Sequence, residues 1–110
     1  MPLRDDGLRV QDMLAAARDA QTFAAGKTET DLRSDKQLQL ALLKCVEIIG
    51  EAAANVGEET RAKYPALPWG DIVGMRNHLV HGYFNIDLSR LWTTVADDLP
   101  VLIAELERVR

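Results

Sequence analysis

Residues 35–56 read DKQLQLALLKCVEIIGEAAANV. Leu38, Leu42, Cys45, Ile49, Ala52 and Val56 recur at three- and four-residue steps, which makes one apolar stripe of a helix. Gln37, Lys44, Glu47 and Glu51 collect on another side as a solvated face. Ser34-Asp-Lys-Gln37 carries the capping-box pattern at the entry, with Gln37 three residues after the candidate cap. Gly50 interrupts the helix at a cost of about 1 kcal/mol relative to alanine. It is either a point of close backbone approach or a tolerated accident.

The same period extends outward. Leu8, Met13, Leu14, Ala17, Ala20 and Ala24 form a first helical stripe, which Gly26 stops. Thr28 to Arg33 reads as a polar connection. Gly57-Glu-Glu-Thr60 starts a short helix over 58–63, and Pro65-Ala-Leu-Pro68 is a stiff extended link. A fourth helix runs from Trp69 to about His81 on Ile72, Val73, Met75, Leu79 and Val80, ended by Gly82. Asp87 caps a last helix bearing Leu91, Trp92, Val95, Leu99, Leu102, Ile103 and Leu106. Pro100 should kink or split it, because proline has no N–H and clashes one turn back. Alanine and leucine dominate over β-branched and aromatic residues. The expected fold is all-α, a four- to five-helix bundle.

At 110 residues the chain suits one domain spanning 1–110, with no repeat and no dividing linker. A 47% apolar content excludes a disordered chain. No apolar run approaches the roughly 18 residues of a membrane-spanning helix. The opening Met-Pro-Leu-Arg-Asp-Asp lacks a signal-peptide layout, which leads to the expectation of a cytoplasmic protein. The lone Cys45 is read as a small core residue. Asp and Glu outnumber Lys and Arg 17 to 13, which argues against a polyanion binder held by bulk charge. A local phosphate site is still permitted. Its positive charge would come from Arg61, Lys63, Arg76 and the two histidines.

Both histidines fall in Met75-Arg76-Asn77-His78-Leu79-Val80-His81-Gly82-Tyr83-Phe84. In a helix Asn77 and His81 share a face, with Arg76 beside Asn77. Arg76 and His81 are five apart, about 7.5 Å along the axis and roughly 140° around it, so ideal geometry does not aim both at one spot. These residue types suit a phosphodiester. An arginine fork grips phosphate oxygens, and histidine moves a proton near neutral pH. At a helix C-terminus His81 would favour the imidazolium form and the acid role. Structural readings stand beside this one. His81 before Gly82 can cap the helix, Arg76 can pair with Asp71 or with an acid on another helix, and Tyr83 and Phe84 can close the core. His78 falls on a different side of the helix and reads as surface. A metal site has less support: beyond His78 and His81 there is no third histidine, and Asp71 is the nearest carboxylate.

Arg76, His81 and Tyr83 form R-x4-H-x-Y, and the stretch from Trp69 to Asp87 around them resembles the signature of the HepT-like proteins of the HEPN superfamily. Ile49-Gly50-Glu51-Ala52-Ala53 is similar to their second-helix motif, and Asp98-Leu99-Pro100 to the start of their C-terminal segment. The resemblance runs in order from about Leu8 to Glu107. It implies a HEPN-like helical bundle that dimerises so that two motifs line a shared cleft. It further implies the toxin of a type VII-like toxin–antitoxin pair, a metal-independent ribonuclease acting on messenger or transfer RNA without a cofactor. Arg76 and His81 would be the catalytic pair, with Asn77 and His78 in support. Tyr83 would accept AMP from a cognate MntA-like nucleotidyltransferase antitoxin. The alternative is a non-catalytic dimeric helical adaptor that binds a minimal nucleotidyltransferase.

Overall fold

The computed structural model describes residues 5–81 and 85–108, with His81 described in its backbone alone. Two 19-residue helices, α1 (Asp6–Ala24) and α3 (Lys36–Ala54), pack along one another. A C-terminal rod lies across α1, built from α7 (Leu88–Thr93), a π-helical segment (Thr94–Asp98) and α8 (Leu99–Arg108). Short helices fill the corners: α2 (Glu29–Ser34), α4 (Glu58–Arg61), α5 (Trp69–Val73) and α6 (Met75–Leu79). The only described strands are β1 (Val80–His81) and β2 (Asn85–Ile86), an antiparallel pair in register Val80 to Ile86 and His81 to Asn85. The architecture is all-helical, as expected.

The core follows the stripes. Met13, Leu14, Ala17 and Ala20 of α1 meet Leu42, Cys45, Val46 and Ile49 of α3, with Leu91, Leu99 and Leu106 from the rod. Burial pushes the Cys45 thiol pKa up, and Asp19 adds to the rise, in keeping with an inert core cysteine. Leu8 and Val73 were read as core but are exposed, and Val10 is buried on α1 instead.

The boundaries around α2 differ from expectation for local reasons. The stretch read as a polar connection forms α2, because Thr28 and Asp31 make a reciprocal capping box there. Ser34 therefore ends α2, and Asp35 caps α3 by accepting from the Leu38 N–H. The buried amide of Gln39 donates to Leu32 O at 2.9 Å, which satisfies a carbonyl at the end of α2. Gly26 does adopt the left-handed conformation, φ +73°, just past α1.

In the rod Asp87 caps α7 through the Arg90 N–H. The discontinuity expected at Pro100 falls just ahead of it. Pro100 has no N–H to offer one turn back, and the helix widens over Thr94–Asp98, where the Leu99 N–H reaches Thr94 O, five residues earlier. No described helix is long and apolar enough to cross a membrane.

Candidate active site

Gly50 decides how the motif helices meet the bundle. A Cβ at this position would lie 3.4 Å from the carbonyl oxygens of both Ile72 and Val73. The bare glycine lets the end of α5 close onto α3, so the close-approach reading holds. The chain turns at Gly74 and restarts as α6, which also packs on α3.

From α6, Arg76 Nε donates to Glu47 Oε2 on α3 at 3.0 Å. Glu47 and Gly50 are three residues apart and neighbours on the helix surface. The arginine side chain stays 48% exposed. Only Nε is engaged. Among the described residues the two terminal Nη groups make no hydrogen bond, so the end of the guanidinium fork is open to an incoming oxyanion. Of the two structural partners foreseen for Arg76, the acid on another helix is the one found. Glu47 was read only as part of a solvated face. The glycine one turn further along α3, which admits a neighbouring helix, was the signal that could have singled it out.

The helix expected to reach His81 ends two residues earlier, at Leu79. Val80 turns extended (φ −120°, ψ 124°) and pairs with Ile86, while the Asp87 N–H takes Leu79 O at 2.7 Å. His81 therefore shares no helix face with Asn77. The helix stops two residues short of His81, and its Leu79 carbonyl accepts from the Asp87 N–H. Beyond Leu79 each residue advances about 3.3 Å rather than 1.5 Å, so the geometry between Arg76 and His81 differs from the helical expectation. Gly82 as helix stop, Tyr83 as modification site and Phe84 as core closure all lie outside the described residues.

Asn77 and His78 are exposed on α6. His78 lies away from Arg76, lining a groove against the C-terminal rod. Arg61, read as local positive charge, is committed elsewhere. It donates to Val56 O at 3.0 Å and Ala53 O at 2.9 Å, closing the end of α3, and its guanidinium sits 5.3 Å from the Trp69 ring centroid. Trp69 in turn donates to Tyr64 O and meets the Tyr64 ring edge-on. Among the described residues no three His, Cys, Asp or Glu side chains converge as metal ligands.

Comparison with known proteins covers nearly all of this framework. The family model described as "Ribonuclease HepT-like" matches residues 13–109, from the first core methionine through α8. A protein of Methanocaldococcus jannaschii named "Putative RNase MJ1380" is 36% identical over 109 residues, 99% of this chain and 100% of its own length. "Probable ribonuclease HepT" of Thermococcus cleftensis is 34% identical over 101 residues, 92% of each chain. No solved structure matches significantly. The matched span takes in α3 with its glycine, the Arg76 helix and the C-terminal rod together, and the chain belongs to the HepT-like ribonuclease family.

Proposed function

We propose that this protein cleaves RNA without a metal ion, using Arg76 and His81 of R-x4-H-x-Y. It would serve as the toxin of a type VII-like toxin–antitoxin pair. The observation that carries this reading is Arg76 itself. Among the described residues it is anchored through Nε alone, with a side chain about half exposed, inside the span matched by the ribonuclease family. The fork grips non-bridging phosphate oxygens and offsets the charge that builds up in the pentacoordinate transition state. The substrate 2′-oxygen forms a bond to phosphorus, the bond from phosphorus to the 5′-oxygen breaks, and an imidazolium gives its proton to that leaving oxygen. A second group takes the 2′-hydroxyl proton. In a symmetric homodimer the second protomer's His81 fills that role. Asn77, adjacent to Arg76 and exposed, supports the phosphate; His78 faces another way and is not needed for proton transfer.

Regulation follows from charge. AMP transferred to Tyr83 by a minimal MntA-like nucleotidyltransferase would place a phosphate where RNA phosphate binds, competing for Arg76 and repelling substrate. A protein incubated with transfer or messenger RNA in the presence of a chelator should leave 2′,3′-cyclic phosphate ends. Intact mass after co-expression with the nucleotidyltransferase should rise by whole AMP units, and a Tyr83→Phe variant should gain none. The adaptor reading draws on one observation, the Arg76–Glu47 pair, which is also what a purely structural arginine would make. Intact RNA after prolonged incubation with unmodified dimer would favour it.

A further inference from the structure

On the far side of α6 from Arg76, a groove of about 500 Å³ runs between α5–α6 and the C-terminal rod. Its surface is apolar where Ile72, Met75, Leu79, Leu99 and Leu102 meet, and four charged or titratable side chains reach it. Asp71 and His78 come from α5 and α6; Arg90 and Asp98 come from α7 and the π-helical segment. Among the described residues none of these four side chains has a hydrogen-bond or ion-pair partner. They do not form a metal cluster either. The π-helical widening sets Thr94 and Asp98 along this wall, and such bulges recur at functional sites.

We propose that this groove is a base-recognition subsite for RNA and that it takes guanine. The inference rests on the ribonuclease reading above. The lining itself selects the occupant. A simple anion would meet Asp71 and Asp98, and an apolar peptide face would bury four groups without partners. The groove instead calls for a flat apolar body with donors and acceptors on its edge. A nucleobase has that form, and small-molecule sites typically combine an apolar lining with a few convergent polar groups. Guanine alone among the four bases presents adjacent N1–H and N2–H donors, which one carboxylate accepts together. Its O6 then accepts from Arg90 or His78. Cytosine and uracil set the O2 acceptor where guanine has N2–H, and adenine has an acceptor N1 beside a bare C2–H, so none of them offers the paired donors. Met75 and His78 share one short helix with Arg76 but face its other side, so a base in the groove belongs to a nucleotide removed along the strand from the phosphate held at Arg76.

The test uses the full chain, isotope-labelled, titrated with GMP, AMP, CMP and UMP while amide shifts are followed by NMR. GMP should saturate, with shifts at Ile72, Met75, Leu79, Leu99 and Leu102, and bind about tenfold more tightly than UMP. The double variant Asp71→Asn/Asp98→Asn should keep its dispersed spectrum and lose the preference to within about twofold. Equal binding of UMP and GMP, shifts mapping elsewhere, or no saturable shift overturns the inference. Seating of a partner protein on the groove with no nucleotide response also overturns it. If GMP fills the groove while RNA stays intact, the subsite stands and the ribonuclease reading alone falls. If RNA is cut without regard to base and GMP does not bind, the subsite alone falls.

Discussion

Arg76 reaches from α6 to α3 and donates Nε to Glu47 Oε2 at 3.0 Å, one turn before the glycine that lets the two elements touch. The contact orients the arginine without using its terminal nitrogens. It also leaves a carboxylate where an RNA phosphate would arrive. Glu47→Gln should therefore cost no more than about 1 kcal/mol of stability, as expected for an exposed pair. It should tighten RNA binding roughly fivefold at low salt, with the gain shrinking as salt rises. Chemical denaturation and binding titrations at two salt concentrations measure both.

Gly50 allows the carbonyls of Ile72 and Val73 to sit 3.4 Å from where a Cβ would be. Gly50→Val adds branched methyls into that contact, and overpacking of this kind costs about 1–3 kcal/mol. The loss should appear in urea unfolding despite the better helix propensity of valine over glycine. Amide shifts in 72–79 should move with it.

Arg61 closes the end of α3 through Val56 O and Ala53 O and stacks on Trp69. Arg61→Ala should cost about 2 kcal/mol, from lost charge-assisted bonds and the ring contact. Arg61→Lys should recover little, since a single ammonium does not reproduce the fork. Thermal melts give the stability change. RNA affinity per folded molecule should stay unchanged, because this arginine is structural.

Asp6 holds the start of α4 by accepting from Thr60 Oγ1 at 2.8 Å and the Gly57 N–H at 3.1 Å. The Thr60 hydroxyl first, then the Gly57 amide, lower its pKa from the ordinary 3.8. A carboxyl depressed in the folded state contributes stability above its unfolded pKa and loses it as pH falls through the folded value. Asp6→Asn should thus be less stable than the parent at neutral pH. The gap should narrow below about pH 4, as followed by denaturation at stepped pH.

The long helices were legible because their apolar stripes are strictly periodic: every residue assigned to the second stripe, from Leu38 to Val56 just past the end of α3, is buried. Asp87 and Gly26 were legible because a cap and a left-handed turn leave residue-type signatures. What misled was competition between neighbouring signals. Thr28 with Asp31 formed the capping box that Ser34 with Gln37 only resembled. The motif helix was read through to His81 because Val80 fits a helical stripe, yet Val80 pairs with Ile86, a contact that local periodicity does not record. Arg76 was found through its chemistry. Its partner Glu47 lies 29 residues away, and that pairing depends on Gly50 bringing α5 onto α3.

The central claim is most directly tested by incubating purified, unmodified protein with RNA in the presence of a chelator, beside Arg76→Ala and His81→Ala variants shown to be folded. The parent should cut the RNA. Removing the phosphate-binding arginine should slow cleavage by about 10²–10³ and removing the histidine by about 10²–10⁴. Cleavage that survives both substitutions, or RNA left intact by a folded and unmodified parent, would contradict the account.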